Sequence, residues 1–324
     1  MSAAARIGWL VNDQVAPLPG QRTVFSELLD TVPGLKDMTG GYTDYRVLRE
    51  VIDAAYRSAV EDGTPPEYIV RNATYFLPLQ CSSTAPTVSY LQDIKTGVAR
   101  KMQLETMRLS RHVVYNSAYT AQQYWDAPAD VPYSVIPVGV DFSQFTIATR
   151  EERFAWQAEY GIEPGSVCWV GSGHTVKGLS VLRRIIEEIP APFCVVLKDT
   201  SEFAAPRTQV FRQLSPSAMR KVMGSCAIGL CTSVQETQHL AGIEMAACGV
   251  PIVTTPVGVY YDREEDVWGA AVEPYELADT LRRWLATLGD TESSRQRVRA
   301  YWEAAGVSTH GTRALWHELL KGVR

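Results

Sequence analysis

The sequence predicts an α/β protein built as two Rossmann-like domains, and three observations predict it. Apolar, strand-like runs alternate with helix-period segments along the chain, the pattern of a parallel sheet covered by helices on both faces. The alternation comes in two series, separated by a junction at 136–142 that contains Pro137 and Gly139. A chain of 324 residues, 46% hydrophobic and 21% charged, suffices for two ordinary domains with their own cores. The expected division is 1–137, 138–304 and a closing segment 305–324.

The first series offers strands near 7–11, 68–70, 88–91 and 113–115, with helices near 23–29, 45–60, 98–109 and 118–125. After the junction come a helix at 151–160 and strands near 167–170, 193–197, 209–211, 228–231 and 252–254, with helices between them. The tail reads as helices near 275–286, 293–304 and 309–320; the last carries Leu315, Trp316, Leu319 and Leu320 at helical spacing, a stripe for packing and not for a ligand.

A formal charge of −5 argues against a whole-surface affinity for nucleic acid. Between residues 92 and 111, however, Lys95, Arg100, Lys101, Arg108 and Arg111 outnumber Asp93 and Glu105, which reads either as a face for an anionic acceptor or as a solvated helix flank. No apolar run approaches the roughly 20 residues needed to span a bilayer, and no targeting signal is read in the segment before the first strand, so a cytoplasmic protein without stable membrane insertion is expected. The six cysteines, at 81, 168, 194, 226, 231 and 248, form no CxxC pair and are expected as free thiols in apolar settings. Asn72-Ala73-Thr74 matches a glycosylation sequon and is taken as coincidence in such a protein.

The chemistry concentrates after the strand at 228–231. A polar turn carrying Glu236 leads through His239 into a helix from about Leu240 to Cys248, closed by Gly249 and carrying Glu244. The first turn of that helix leaves backbone N–H groups and a positive dipole end above the strand ends, a place for a diphosphate. Two glutamates eight positions apart are also what any solvated helix can show, and the spacing alone does not distinguish this pair. Upstream, Gly171-Ser172-Gly173-His174-Thr175-Val176-Lys177-Gly178 combines glycines that permit close backbone approach with a cation, Lys177, for a phosphate.

These segments resemble glycosyltransferase family 4, retaining enzymes of the GT-B fold, in which a Glu-x7-Glu segment followed by Ala-x-x-Gly-x-Pro binds the nucleotide sugar. Glu236 and Glu244 match its two glutamates, Gly171 through Gly178 its phosphate loop, residues 135–145 its interdomain junction and 251–258 the strand that follows. The resemblance implies two Rossmann-like domains facing across a cleft, an N-terminal acceptor domain and a C-terminal nucleotide-sugar-binding domain, with the final helices crossing back to the N-terminal one. It implies that Glu236 meets the sugar, Glu244 the ribose, and Lys177 with the helix amides near Leu240 the leaving diphosphate. Asp93 matches the carboxylate of a family His-Asp pair and is expected to bond sugar hydroxyls; Gln92 stands where the histidine would. Gly20 is what remains of a glycine-rich loop that touches donor or acceptor, and Arg22 beside it reads as an anion contact or a solvated charge. Ser172 replaces an arginine and His239 a glycine; His174 and His239 are each expected to donate to a phosphate oxygen in part compensation, or else to serve surface and capping roles.

In such enzymes the departing phosphate is thought to help deprotonate the acceptor on the same face, so positioning and electrostatics carry the reaction. The sequence contains no Asp-x-Asp, which fits chemistry without a metal site or a cofactor beyond the nucleoside diphosphate sugar donor. The expected function is therefore a retaining, hexosyltransferase-type transfer from that donor to an acceptor hydroxyl on a small molecule, a glycan or modified DNA. Transfer to hydroxymethylated bases of viral DNA is the specialised alternative, and a catalytically silent sugar-nucleotide-binding protein, suggested by Ser172, Gln92 and His239, the alternative of another class.

Overall fold

The computed structural model describes residues 8–12, 35–37, 45–72 and 86–322. The chain divides into two compact units, Met1–Gly139 with Thr309–Arg324, and Val140–Ser308. The divisions thus fall at 139/140 and 308/309, slightly later than the junctions read from the sequence. Gly20, Arg22, the helix expected at 23–29 and Cys81 lie outside the described residues.

In the first unit six parallel strands are ordered β2-β1-β3-β4-β5-β6: β1 (Gly8–Asn12), β2 (Leu35–Asp37), β3 (Tyr68–Asn72), β4 (Thr87–Leu91), β5 (His112–Tyr115) and β6 (Tyr133–Val135). Helices α1 (Tyr45–Glu61), α2 (Gly97–Arg108) and α3 (Ala118–Gln123) connect successive strands. The apolar runs that predicted β3, β4 and β5 are buried, as strands covered on both faces must be. By contrast β6 is a three-residue edge strand with exposed ends, held by the register Val114↔Ser134 and not by an apolar pattern, so it escapes sequence reading. Strand β2, likewise three residues at a sheet edge, is set by its register Trp9↔Lys36 with β1. The last helix of the chain, α10 (Thr309–Gly322), belongs to this unit, and its Trp316, 2% exposed, meets Tyr90 of β4 edge to face at 5.2 Å. Trp316 and Leu320 of the stripe are therefore packing, while Leu315 is exposed.

In the second unit six parallel strands are ordered β12-β11-β10-β7-β8-β9. These are β7 (Val167–Gly171), β8 (Phe193–Leu197), β9 (Thr208–Arg212), β10 (Ile228–Cys231), β11 (Ile252–Thr254) and β12 (Gly269–Ala271). The helices are α4 (Arg150–Tyr160), α5 (Leu179–Glu188), α6 (Pro216–Ser225), α7 (Leu240–Ala247), α8 (Leu277–Thr287) and α9 (Glu292–Ala304). The period of two along β7 divides the core: Cys168 and Val170 join one apolar layer, Val167 and Trp169 the other. Strand β12, Gly-Ala-Ala, lacks β-forming side chains and exists through its pairing with β11.

Connections run outward from β7 through β8 to β9, and the chain then returns to place β10 on the other side of β7. The switch point of the sheet is thus between β7 and β10, where the loops leaving the two carboxyl ends diverge and a crevice opens. Buried beneath the sheet, the Arg295 guanidinium donates to the carbonyls of Gly224, Cys226 and Cys248 and to Asp290, a structural use of a charge. Cys168, Cys194, Cys226, Cys231 and Cys248 are buried free thiols. Among the described residues no helix is long and apolar enough to cross a membrane.

Candidate functional site

Two loops leave the switch point, and short-range chemistry fixes each. After β7 the chain passes Ser172, Gly173 and His174 into a single 3-10 turn, Thr175–Lys177, which Gly178 ends in the left-handed region at φ 69°. A β-carbon at Gly178 would collide with the Thr232 carbonyl, so both the dihedral and the contact require glycine. The loop after β10, residues 232–239, is tied to this turn: Trp169 Nε1 donates to Thr232 Oγ1 (3.0 Å), Thr232 Oγ1 to the Lys177 carbonyl (2.8 Å), and Val234 N to the Val176 carbonyl (2.8 Å).

The cross-tie brings together residues 59 positions apart, and Lys177 Nζ hydrogen-bonds and ion-pairs with Glu236. Ser233 Oγ donates to the same carboxylate oxygen at 2.8 Å. Burial opposes the charge on Glu236, whose side chain is 12% exposed, but the His239 imidazole and Lys177 outweigh it and hold the carboxyl below its usual range. Before any ligand is considered, the proposed phosphate cation and the proposed sugar carboxylate satisfy one another.

Glu244 lies on the helix that follows, half-buried, its carboxylate making no hydrogen bond or ion pair to a described residue. Burial raises its carboxyl above the usual range, with partial relief from Lys198 and His239. A carboxylate so placed is ready to accept from a ligand's hydroxyls. Leu240, half-buried, is the first residue of α7, whose first-turn amides adjoin Glu236 in sequence.

His239 stands at the cap position, one of the roles expected of it. It caps α7 from a left-handed backbone (φ 67°, ψ 64°), makes no side-chain cap bond, and is only 7% exposed. Its ring meets Tyr260 edge to face at 5.8 Å, and its Nδ1 is buried without a hydrogen-bond partner among the described residues. His174, in contrast, is exposed.

The glycine loop carries a further group the sequence reading missed. Asp199, just beyond β8, accepts from Gly173 N at 2.8 Å and from Ser201 N at 3.1 Å, and the Gly173 amide holds its carboxyl below the usual range. An acidic residue directly after a predicted strand was the available signal. Gly171, buried at the end of β7, packs directly on the Trp169 ring, and Ser172 is half-buried beside it.

Asp93 lies in the other unit. It follows β4, half-buried, 3.8 Å from Lys95 Nζ, and its carbonyl accepts from the Tyr124 hydroxyl at 2.9 Å. The structure therefore gathers Lys177, Glu236, Glu244, Gly171, Ser172, His174, His239 and Leu240 at one switch point, and it does not join Asp93 to them within a unit. Of the basic residues at 92–111, Arg100 is engaged internally: it donates to Asp126 and to the Gln123 carbonyl and lies over the Tyr124 ring.

Residues 164–287 match the family model described as glycosyl transferases group 1. The chain is similar to the D-inositol 3-phosphate glycosyltransferase of Segniliparus rotundus, with 24% identity over 241 residues covering 68% of this chain and 51% of that protein. It thus spans about half the length of this curated relative. Among solved structures it resembles HepE of Anabaena in complex with UDP and glucose, with a TM-score of 0.73 at 14% identity over 98% of this chain and 100% of that one. It also resembles the sucrose-phosphate synthase of Thermosynechococcus elongatus, with a TM-score of 0.71 at 14% identity over 98% of each chain. The fold is α/β of the GT-B type.

Proposed function

We propose that this chain is a retaining glycosyltransferase that moves a sugar from a nucleoside diphosphate sugar to an acceptor hydroxyl without a metal ion. The observation that supports it is the pairing of Lys177 with Glu236 where β7 and β10 diverge, with Glu244 on the helix that follows. In this reading Glu244 accepts from the ribose hydroxyls, Lys177 and the first-turn amides of α7 take the diphosphate, and Glu236 accepts from the donor sugar. The match to group 1 glycosyltransferases over 164–287 covers these residues, and UDP with glucose, or UDP-glucose, occupies structures of the same fold.

The reaction then needs no strong base at this switch point. As the bond from the anomeric carbon to the diphosphate breaks, negative charge grows on the leaving phosphate, which Lys177 and the helix amides stabilise from fixed positions. Asp93 would hydrogen-bond a sugar hydroxyl, and Gln92 beside it cannot carry a proton at neutral pH. The name of the curated relative makes a phosphorylated polyol the first acceptor to try.

Calorimetry with UDP and uridine, followed by UDP-glucose consumption with inositol phosphates, tests the reading. UDP is expected to bind at least tenfold more tightly than uridine, and the product to keep the donor's anomeric configuration by NMR. Failure to bind any nucleoside diphosphate would overturn the proposal; an inverted product would overturn the retaining step alone.

A further inference from the structure

We infer that Asp199 and Ser201 are positioning residues of the donor site: the turn they form after β8 seats the glycine loop that carries Lys177, and Gly173 is a glycine to admit Ser201 and not to admit a phosphate. The inference rests on the glycosyltransferase reading above.

Strands β7 and β8 end side by side, Gly171 opposite Leu197, and Lys198 N donates to the Gly171 carbonyl at 2.8 Å, so the two loops leave the sheet already joined. Asp199 then spans them: one carboxylate oxygen accepts from Ser201 N at 3.1 Å within its own turn, and the other from Gly173 N at 2.8 Å in the neighbouring loop. A carboxylate that only closed the turn after β8 would need the first bond alone. At Gly173 a β-carbon would collide with the Ser201 hydroxyl, while the Asp199 carboxylate would stand at an ordinary 3.6 Å. The Gly173 backbone is not in the left-handed region, so space and not dihedral calls for the glycine. Ser201 is braced in turn from β9, where the Arg212 guanidinium donates to its carbonyl at 3.2 Å.

The seat reaches Lys177 because little chain lies between. Residues 174–176 connect Gly173 to Lys177, and they are wound into the 3-10 turn that Lys177 N closes on the His174 carbonyl (2.9 Å) and Gly178 N on the Thr175 carbonyl (3.1 Å). The far end of the loop is tied to residues 232–236 and the near end to 199–201, so a displaced Gly173 displaces Lys177 with it. Held by Asp199, the Gly173 amide is also occupied, which leaves the diphosphate to Lys177 and the first turn of α7.

The test is a double-mutant cycle, Gly173→Ala with Ser201→Gly, read by calorimetry of UDP and of uridine and by denaturant unfolding, beside Asp199→Ala and Asp199→Asn. Gly173→Ala is expected to weaken UDP about tenfold and uridine less than about threefold; adding Ser201→Gly, which clears the space, should bring UDP affinity back to within about threefold of Ser201→Gly alone. Asp199→Ala should likewise lose about tenfold for UDP, and Asp199→Asn, whose amide oxygen still accepts from Gly173 N, should stay within about threefold of wild type. A double variant that binds UDP no better than Gly173→Ala would mean that the ligand itself needs the glycine, and overturns the inference. So does an Asp199→Ala that binds UDP as wild type does, or an equal loss for UDP and uridine. Should Gly173→Ala fail to fold, a double variant that folds upholds the seating and one that does not overturns it. Absence of UDP binding by wild type overturns the glycosyltransferase reading and the donor half of this one, while the unfolding cycle separately decides the seating: Gly173→Ala is expected to lower the unfolding midpoint and Ser201→Gly to restore it.

Discussion

The carboxyl end of β4 in the first unit and the switch point between β7 and β10 in the second are built from similar residues to different ends. Beyond β4, polar groups close on one another: the Tyr124 hydroxyl donates to the Asp93 carbonyl, and Arg100 lies over the Tyr124 ring while bonding Asp126 and the Gln123 carbonyl. At the switch point an equally dense set of bonds fixes the two loops, yet the Glu244 carboxylate, His239 Nδ1 and Tyr260 Oη make no hydrogen bond to described residues. Rigid loops around unsatisfied polar groups are what a binding site requires and what a merely stable fold avoids.

Four substitutions bear on that contrast, from the largest expected effect to the smallest. Gly178→Ala forces a β-carbon into the Thr232 carbonyl from a left-handed backbone, and should cost about 3 kcal/mol or more of stability by denaturant unfolding, because it strikes the tie between the loops. A neutral outcome would mean the loops are not held by that contact. Glu236→Gln keeps the shape of the carboxylate but not its charge, so turnover of UDP-glucose should fall about 100-fold while UDP affinity at neutral pH is retained or rises, Lys177 having lost its partner. Wild-type turnover from this variant would remove Glu236 from the reaction.

Lys177→Ala should weaken UDP binding by about 1–3 kcal/mol while leaving uridine unchanged, a difference calorimetry reads directly. Equal losses for both ligands would point to a displaced loop instead of a lost phosphate contact. Arg100→Ala, at the β4 end, should lower stability by about 1–2 kcal/mol and leave UDP affinity untouched. Its partner also has a pH signature. The Arg100 guanidinium holds the Asp126 carboxyl below its usual range, so this contribution is complete above the unfolded carboxylate pKa and is lost as pH falls through the folded value. The stability gap between wild type and Arg100→Ala should therefore narrow at low pH to what the Gln123 carbonyl and Tyr124 ring contribute; a constant gap would contradict the pairing.

How much of this was legible along the chain depended on the range of the interaction. The strands that frame the site were read to within a residue, Val167–Gly171 against 167–170 and Ile228–Cys231 against 228–231, because strands buried on both faces leave unbroken apolar runs. Strands β2, β6 and β12, three residues each, left no such mark, since a neighbour's backbone and not their own side chains makes them strands. Lys177, Glu236 and Glu244 were singled out as candidates by the resemblance to glycosyltransferase family 4 together with their place after strands. That Lys177 and Glu236 neutralise each other was not legible, for 59 residues separate them and only the return of the chain to β10 closes the gap.

His239 marks the boundary most plainly. Its position before a helix suggested a ring offered to a phosphate or one that caps the helix, but Gly242 and Tyr260 come from different elements, and that the ring lies buried against them could not be read along the chain. The sequence by itself determined which segments are buried and which residues can bear charge, because hydrophobicity and ionisation belong to single side chains and their local period. The tertiary structure decided which charges meet, which stay unpaired and which way a side chain turns, because Coulomb energy, burial and packing depend on distances that only the folded chain sets.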